Sequence, residues 1–359
     1  MKVMAVNSSA RVGGESKTEL MLNRLVAGMR AAGAEVEVVN LRHKKINFCL
    51  GCFTCWTKTP GVCIHKDDFT KEIYPKWRES DLVVYATPLY HFTVNAAMKA
   101  FIERTLPFLE PFLVRQPDGT TSHPQRFPHP KVVLLSVAGF PEPSVFDQLS
   151  AWANFVFGRH GYLQAEIYRP GAEMLKQPFF REEADDALAA AEQAGRELVE
   201  TGRVAEETLA RIGQPLGDPD IMARMANIFW KTCLAKGVSP KEFAAQGLTP
   251  RPDDHESFLL LMSVAFNRQA AQGLEAVMQF DFAGQAPGSC HLKINREGLA
   301  TALGPHPAPS LTVTVPFEVW MDVITGQVSG EQVFMEQKAT AAGDFNLLLK
   351  MGALFSGPK

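Results

Sequence analysis

The sequence predicts an α/β fold: a doubly wound parallel five-stranded sheet with the strand order 2-1-3-4-5, followed by an α+β domain with an antiparallel sheet. Short apolar strands alternate with helices over about the first 200 residues, which is typical of a parallel sheet covered by helices on both faces. About the last hundred residues carry strands of alternating apolar and polar residues, with turn signals such as Ala283-Gly284. This second pattern favours an antiparallel sheet.

Five strands and the helices between them make up the predicted first domain, residues 1–204. The strands lie at 2–6, 35–39, 82–86, 131–138 and 164–168. The helices lie at 18–32, from Asp67 or Asp68 onward, at 94–110, at 144–158 and at 182–201. Ligands of such sheets bind at the carboxyl ends of the strands, near the switch in strand order. The candidate site is therefore formed by the loops after strands one, three and four, at 7–17, 87–93 and 139–143.

The rest of the chain is predicted to be a helical connector at 205–250 and a second domain at 251–359. Pro240, Gly247 and Pro250 interrupt the chain at this boundary. The second domain has strands at 276–282, 289–295, 311–315 and 338–343, and helices at 256–270, 317–324, 330–336 and 346–355. Residues 111–130 are rich in proline and histidine and are predicted to be an inserted loop of the first domain.

Composition and charge argue against several classes of protein. Hydrophobic residues make up 46% and charged residues 21% of the 359 residues, so we expect a packed core rather than disorder. The formal net charge is −3, which predicts no nucleic-acid partner. The apolar runs fall short of the roughly 20 residues that a membrane span needs. The chain also enters a strand directly, without a signal-peptide pattern, and we therefore expect a cytoplasmic protein.

Four of the six cysteines lie within fifteen residues, with the spacing C-x2-C-x2-C-x7-C. They are Cys49, Cys52, Cys55 and Cys63. Three thiolates on a tight turn and a fourth from a short loop can converge on one 4Fe-4S cluster. Zinc, redox-active thiols without a metal, a disulfide and plain packing are the alternatives, although structural zinc favours two separated C-x2-C pairs. Cys233 and Cys290 stand alone and are predicted to be buried.

The loop after the first strand carries hydroxyl and cationic side chains in front of a predicted helix. They are Ser9, Arg11, Ser16, Lys17 and Thr18. Free backbone N–H groups and the helix dipole make this position an anion site, and the cations would pair with a phosphate. Neither a P-loop nor a G-x-G-x-x-G pattern occurs, so the loop fits the phosphate of FMN. The alternative is an ordinary loop with a capped helix.

Flat side chains follow the third strand, where an isoalloxazine ring could stack. The candidate residues are Pro88, Leu89, Tyr90, His91 and Phe92, with Gly139 and Phe140 from the loop after the fourth strand. Pro88 restricts the backbone at the strand end, and aromatic rings offer stacking surfaces. The alternative is an aromatic cluster at the edge of the core. Flavin chemistry requires no protein acid, base or nucleophile, so we assign no catalytic residue.

Residues 1–200 resemble the NADPH-dependent FMN reductase family of flavodoxin-like proteins. The resemblance rests on Ser8-Ser9-Ala10-Arg11, Lys17-Thr18, Thr87-Pro88-Leu89-Tyr90 and Lys99-Ala-Phe-Ile-Glu-Arg104. The first two segments depart from the Gly-Ser-Pro-Arg-like loop and the following Asn-Thr of that family. The cysteine stretch, which closes with Lys66-Asp67-Asp68, resembles the iron–sulfur flavoproteins of this group. The resemblance implies FMN, NAD(P)H as cosubstrate, a 4Fe-4S cluster near FMN, and a homodimer or larger homo-oligomer.

Roughly residues 255–357 resemble the sterol carrier protein type 2 domain. The matching segments are Phe280-Asp-Phe-Ala-Gly284, Cys290-His-Leu-Lys-Ile294, Pro309-Ser-Leu-Thr-Val313, Phe317-Glu-Val-Trp320, Ile324-Thr-Gly326 and Gly343-Asp344. That family shelters an apolar ligand between a curved sheet and its helices. The lining would draw on Phe258, Met262, Phe266, Phe280, Trp320, Phe334, Leu348, Met351 and Phe355. The alternative is that these side chains fill a solid core.

Together these features predict an FMN-dependent NAD(P)H oxidoreductase, or electron-transfer flavoprotein, with a C-terminal domain for an apolar ligand. Electrons would arrive from NAD(P)H or from a small protein donor. The alternative function is that of a lipid or sterol carrier, or of a scaffold, whose first domain is not catalytic. A yellow or brown purified protein favours the first function, and a colourless protein that carries extracted lipid favours the second.

Overall fold

The computed structural model describes residues 1–117, 119–177 and 180–356. The chain divides into two compact units, Met1–Leu216 and Gly217–Lys359, and each unit has hydrophobic core clusters of its own. Residues 205–250, for which a connector is predicted, fall in both units. Among the helices described, none is long and apolar enough to cross a membrane.

The first unit is built on a parallel sheet. Its strands are β1 Lys2–Asn7, β2 Glu35–Asn40, β3 Leu82–Pro88, β4 Val114–Arg115, β5 Thr121–Ser122, β6 Lys131–Val137 and β7 Leu163–Arg169. The five longer strands pair in the order β2-β1-β3-β6-β7, whereas β4 and β5 form a separate two-stranded sheet. All pairings in the five-stranded sheet are parallel. Counted along this sheet alone the order is 2-1-3-4-5, so the predicted architecture is confirmed.

Helices cover both faces of this sheet. They are α1 Lys17–Ala31, α2 Tyr74–Glu79, α3 Ala96–Glu103, α4 Asp147–Val156, α5 Arg181–Thr201 and α6 Glu206–Gly213. Successive strand residues point to opposite faces, and in β1 Val3 and Ala5 belong to the core cluster that includes α1 and α5. Met4 and Val6 belong to the cluster that includes α2, α3 and α4. Because both of their faces are buried, the inner strands β1, β3 and β6 are largely apolar, whereas the edge strands β2 and β7 also carry charged residues.

Helices α1 and α5 approach each other through glycines. A Cβ atom on Gly28 would lie 1.7 Å from the carbonyl oxygen of Glu192, and one on Gly195 would lie 2.0 Å from that of Leu25. Only glycine allows the two backbones to come this close. The contact fixes α1, whose N-terminus faces the candidate phosphate loop.

Two segments of the first unit differ from the expectation. The helix predicted at 94–110 ends at Glu103, and Leu106–Phe108 forms a separate 3-10 turn. Pro107 lies in that turn, and because proline has no backbone N–H it cannot continue an α-helix. The inserted loop at 111–130 contains the short hairpin of β4 and β5, which its polar sequence did not predict.

The sheet of the second unit is mixed rather than purely antiparallel. Its strands are β8 Ala276–Ala283, β9 Gly288–Asn295, β10 Gly298–Leu303, β11 Leu311–Pro316 and β12 Thr340–Gly343, in the order β10-β9-β8-β11-β12. Three pairings are antiparallel, but β8 and β11 run parallel. The reason is that β8, β9 and β10 form a meander, after which the chain returns to the free edge of β8. β10 was not predicted, because its small residues show little alternation.

Helices accompany this second sheet. They are α7 Pro219–Lys236, α8 Pro240–Ala245, α9 His255–Ala265, α10 Phe317–Ile324, α11 Gly330–Met335 and α12 Phe345–Leu354. Aromatic side chains from α9, β8 and α10 meet in the core, where the rings of Phe258 and Phe280 lie 5.2 Å apart and those of Phe280 and Trp320 lie 5.5 Å apart. Cys233 and Cys290 are buried, as predicted.

Candidate functional site

Three loops are tied together at the carboxyl edge of the parallel sheet. The backbone N–H of Ser8 donates to the carbonyl of Ala86 (2.9 Å), which joins the end of β1 to β3. Asn95 Nδ2 donates to the carbonyl of Ser8 (2.8 Å). The N–H of Leu89 donates to the carbonyl of Val137 (2.9 Å), which joins the loop after β3 to the end of β6. The loops after β1, β3 and β6 therefore form one continuous surface.

Hydroxyl groups lie at the N-terminus of α1. Ser16 caps the helix, because its Oγ accepts from the N–H of Glu19 (3.0 Å), and it also donates to Ser9 Oγ (2.8 Å). The N–H of Ser9 donates to Asn7 Oδ1 (3.0 Å). Thr18 is buried in the first turn of the helix. This hydroxyl pair and the helix N-terminus make an anion-binding position.

The two cations predicted for this loop already share an anion. Arg11 Nη1 lies 2.7 Å from Glu173 Oε1, and Lys17 Nζ lies 2.8 Å from Glu173 Oε2. Burial acts to raise the pKa of Glu173, but the bonds to Lys17 and Arg11 outweigh it and hold the pKa below its usual value. The bond to Glu173 raises the pKa of Arg11. Both cations thus converge on one carboxylate, so the geometry of these residues fits an anionic group.

The loop after β3 presents aromatic rings to solvent on a tight turn. His91 and Phe92 both have positive φ angles, 48° and 59°, and the backbone groups of Tyr90 and Thr93 bond to each other across the turn. Non-glycine residues adopt this conformation rarely, because it raises the free energy of the backbone. Such strained residues often occur at functional sites. The rings of Phe92 and Phe140 are nearly parallel, with centroids 6.5 Å apart.

The predicted flavin residues differ in exposure. Tyr90, Phe92 and Phe140 are 52%, 50% and 59% exposed. Pro88 and Leu89 are partly buried, and His91 and Gly139 are exposed. Exposed aromatic rings that surround a strand edge form the kind of surface on which a flat ligand stacks. The arrangement therefore fits an isoalloxazine ring.

The four clustered cysteines line one pocket. Cys55 is buried, Cys49 and Cys63 are partly buried, and Cys52 is exposed. Apolar and polar side chains complete the pocket, namely Leu50, Phe53, Ile64, His65, Glu103, Arg104, Leu106 and Pro107. Burial, and then the neighbouring Cys63, raise the pKa of Cys55, whereas hydrogen bonds to Thr54 lower the pKa of Cys52. The donor set fits a thiolate-held group, although no three His, Cys, Asp or Glu residues in the described chain are placed to hold a single metal ion.

A buried ion pair anchors this cysteine loop. Arg104 Nη1 lies 2.7 Å from Asp67 Oδ2, and both side chains are fully or almost fully buried. Burial acts to raise the pKa of Asp67, but the bonds from Arg104, Asn47 and Thr70 hold it well below its usual range. Asp67 also accepts from the N–H of Thr70 (3.2 Å) at the start of the π-helical turn Phe69–Ile73 that leads into α2.

Sequence reasoning missed several residues of this region. Glu173 pairs with Arg11 across 162 positions of the sequence, and no local pattern reveals such a pairing. Arg42 donates to the carbonyl oxygen of Arg11 (3.3 Å) and so holds the loop from the β2 side. Asn95 could have been found, because a polar residue before an apolar helix predicts an N-cap; its side chain accepts from the N–H of Met98 (3.1 Å).

In the second unit, the residues predicted to line a ligand site divide into two groups. Phe258, Met262, Phe280 and Trp320 are fully buried. The others are only partly buried against the same core, namely Phe266, Phe334, Leu348, Met351 and Phe355. Trp320 Nε1 is buried without a hydrogen-bond partner among the described residues. A ligand with a polar atom could satisfy this donor.

Two family models match separate parts of the chain. Residues 1–119 match the NADPH-dependent FMN reductase family, and residues 260–356 match the SCP-2 sterol transfer family. The first match contains the loops after β1 and β3 and the cysteine loop at 48–66. The second contains β8 to β12 and the helices between and after them.

The curated relatives each match about a third of the chain or less. An iron-sulfur flavoprotein of Archaeoglobus fulgidus is 40% identical over 108 residues, which cover 30% of this chain and 47% of that protein. An iron-sulfur flavoprotein of Methanocaldococcus jannaschii is 38% identical over 104 residues, 29% of this chain and 50% of that protein. The chain thus spans about half the length of these curated relatives.

The chain is also similar, at low sequence identity, to solved structures. An NAD(P)H:quinone oxidoreductase from Methanothermobacter marburgensis is 16% identical with a TM-score of 0.43, covering 55% of this chain and 96% of that one. An FMN-dependent NADH-azoreductase of Bacillus anthracis, in complex with FMN, is 13% identical with a TM-score of 0.42, covering 55% of this chain and 99% of that one. The chain thus joins a segment that matches the NADPH-dependent FMN reductase family to a segment that matches the SCP-2 sterol transfer family.

Proposed function

We propose that this protein is an FMN-dependent oxidoreductase that accepts electrons from NAD(P)H or from a small protein donor. The observation that carries the proposal is the meeting of three loops at the carboxyl edge of the parallel sheet, one with an anion position and two with exposed aromatic rings. The match of residues 1–119 to an FMN reductase family supports the same cofactor. When bound, FMN would supply hydride and single-electron chemistry.

The chain's own residues would bind and orient the cofactor. Ser9, Ser16 and Thr18 would place hydroxyls at the phosphate, and Arg11 and Lys17 would neutralise its charge. The other contacts would come from the loops after β3 and β6, through Pro88, Leu89, Tyr90, His91, Phe92, Gly139 and Phe140. The positive φ angles of His91 and Phe92 would hold the aromatic turn in place before the ligand binds.

We also propose that Cys49, Cys52, Cys55 and Cys63 hold a 4Fe-4S cluster. Two observations support it: the four side chains line one pocket, and curated relatives that match part of this chain are named iron-sulfur flavoproteins. Such a cluster carries single electrons between the flavin and an outside partner. Thiols without a cluster are the competing assignment, and iron content separates the two.

The second unit is proposed to bind a lipid or another apolar ligand. The SCP-2 match supports this, as does an aromatic core whose Trp320 indole N–H has no hydrogen-bond partner among the described residues. We further propose a homodimer or larger homo-oligomer in the cytoplasm, and domain limits at 1–204, 205–250 and 251–359. If no flavin is bound, a lipid carrier or scaffold becomes the better assignment for the whole chain.

A spectrum of protein purified without oxygen tests the proposal, with iron, sulfide and zinc assayed on the same sample. Flavin bands with a broad shoulder and about four irons per chain would support both cofactors. Flavin bands without iron would support the FMN oxidoreductase and refute the cluster. A colourless protein that yields extractable lipid would refute the flavoenzyme and support the carrier.

A further inference from the structure

Asp67 and Arg104 form a bidentate ion pair at the base of the cysteine loop, which we define as residues 48–66. Arg104 Nη1 lies 2.7 Å from Asp67 Oδ2 and Nη2 lies 3.1 Å from Oδ1, and the two side chains are 0% and 1% exposed. Desolvation offsets much of the attraction in a buried pair, so such a pair is weak evidence for stability. Its position in the structure is therefore more informative than its energy.

This pair holds both ends of the cysteine loop. At the first end, the N–H of Asn47 donates to Asp67 Oδ2 (2.8 Å), and Arg104 Nη1 donates to the carbonyl of Asn47 (2.7 Å). At the second end, Asp67 itself follows the loop, and Arg104 Nη2 donates to Thr70 Oγ1 (2.9 Å). One guanidinium group thus closes the loop through backbone and side-chain contacts on both sides.

Arg104 also lines the cysteine pocket, where one of its donors has no partner. Its Nε atom is buried without a hydrogen-bond partner in the described part of the chain, and Arg104 lines the same pocket as Cys63 and the other three clustered cysteines. Glu103 and His65 line the same pocket. A buried N–H without an acceptor carries a desolvation cost, and a sulfur acceptor in this pocket would remove it.

We propose that Arg104, held by Asp67, is the positioning residue of the cysteine pocket: the pair closes the loop, and the free Nε–H donates a hydrogen bond to a sulfur atom of the cysteine-held group. The donor role rests on the cluster of the proposed function, whereas the loop closure does not. Hydrogen bonds to sulfur are among the factors that set the reduction potential of iron–sulfur clusters. Arg104 would therefore both position and tune the group.

Two variants and a control separate these roles. Arg104→Lys keeps the positive charge but loses the planar fork and the Nε–H donor. The double replacement Asp67→Leu with Arg104→Met removes the pair without leaving a lone buried charge. The control is Lys76→Gln on the neighbouring helix α2, which breaks the exposed ion pairs of Lys76 with Glu37 and Glu72. FMN content and circular dichroism report whether each variant folds.

Trypsin tests loop closure on protein without added iron. Lys58 lies exposed within the cysteine loop, and cleavage of a loop follows the population of its open form. We expect cleavage after Lys58 to be about tenfold faster in the double variant than in the wild type or in Lys76→Gln. Equal rates would overturn the loop closure. If the double variant fails to fold, Arg104→Lys takes its place, with faster cleavage again expected.

Reconstitution with ferrous iron and sulfide, without oxygen, tests the donor role. We expect Arg104→Lys to retain iron but to show a more negative midpoint potential, and the double variant to retain less than about half of the wild-type iron. An unchanged potential in Arg104→Lys would overturn the donor role. Wild-type protein that takes up no iron would refute the proposed cluster and the donor role together, and the trypsin rates would then decide the loop closure alone.

Discussion

At the scale of single residues, Lys17 and Arg11 differ in how strongly they can bind an anion. The side chain of Lys17 is 14% exposed, whereas that of Arg11 is 51% exposed. Solvent screens exposed ion pairs so well that many contribute little. Of the two cations that the sequence assigns to the phosphate, Lys17 is therefore the stronger candidate.

Replacing Lys17 with Ala should weaken FMN binding by about tenfold or more, because a hydrogen bond to a charged group contributes roughly 1.5–3 kcal/mol. Arg11→Ala should weaken it less. Fluorescence titration of flavin-free protein with FMN measures the dissociation constants of both variants. Riboflavin, which lacks the phosphate, is the control ligand, and its affinity should change little. Equal losses for FMN and riboflavin would contradict the assignment of this loop to the phosphate.

Replacing Glu173 with Gln should strengthen FMN binding. The phosphate must displace the Glu173 carboxylate from Arg11 and Lys17, and two partly exposed ion pairs contribute about 0.2–1 kcal/mol each, so the expected gain is roughly two- to thirtyfold. The same titration measures it, with Glu142→Gln as an exposed control on the loop after β6. Weaker FMN binding in Glu173→Gln would mean that Glu173 supports the site rather than competes for it.

At the scale of elements, the crossing of α1 and α5 depends on two glycines. Gly28→Ala should destabilise the protein by about 1–3 kcal/mol or more, because its Cβ would collide with the backbone of α5 rather than with a side chain that can move. Urea unfolding measures the change. Gly352→Ala in α12 is the matched control, since a Cβ there meets open space, and it should be neutral or slightly stabilising. Similar effects at both sites would contradict the close crossing.

The inserted segment 111–130 joins the sheet through His129. Its ring stacks on Tyr162 with centroids 4.4 Å apart, and its Nδ1 lies 2.6 Å from the carbonyl oxygen of Pro130. Burial lowers the pKa of His129 to about 4. The unfolded chain, with a histidine pKa near 6.5, therefore binds a proton that the folded protein does not bind between about pH 4 and pH 6.5.

The contribution of His129 to stability should accordingly be present above about pH 6.5 and be lost as the pH falls through this window. Linkage gives a loss of about 2 kcal/mol between pH 7.5 and pH 5. Urea unfolding of the wild type and of His129→Phe at both pH values measures it, with exposed His43→Phe as the control. The free energy of unfolding should fall by about 2 kcal/mol less between pH 7.5 and pH 5 in His129→Phe than in the wild type. An equal fall in all three proteins would mean that His129 does not cause the pH dependence.

Most elements could be predicted from periodicity, but some could not. The helix Phe317–Ile324 has the predicted limits, since an apolar face precedes the stop at Thr325-Gly326. β10 and the β4–β5 hairpin were missed, because edge strands with exposed faces have no apolar alternation to reveal them. The parallel pairing of β8 with β11 was also missed, since strand direction depends on the path of the chain between strands.

At the scale of the whole molecule, each unit has its own core and its own predicted ligand. A ligand that binds only the folded state stabilises the unit that binds it. Calorimetry should therefore show that FMN raises the unfolding temperature of Met1–Leu216, and that a bound fatty acid or sterol raises that of Gly217–Lys359. Trp320→Phe, which removes the unpartnered indole N–H, should reduce the second shift only. No shift with any apolar ligand would favour a solid core in the second unit.

The sequence by itself determined the α/β class of the first unit and the α+β class of the second, the strand order of the first sheet, and the loops that carry the candidate chemistry. It could do so because buried strands, helix caps and clustered cysteines are local patterns. The tertiary structure decided which groups meet. Glu173 reaches Lys17 and Arg11, Arg104 reaches Asp67 and the cysteine pocket, and Phe140 faces Phe92. These contacts join residues far apart in the chain, and only the packing of helices and loops around the sheet brings them together.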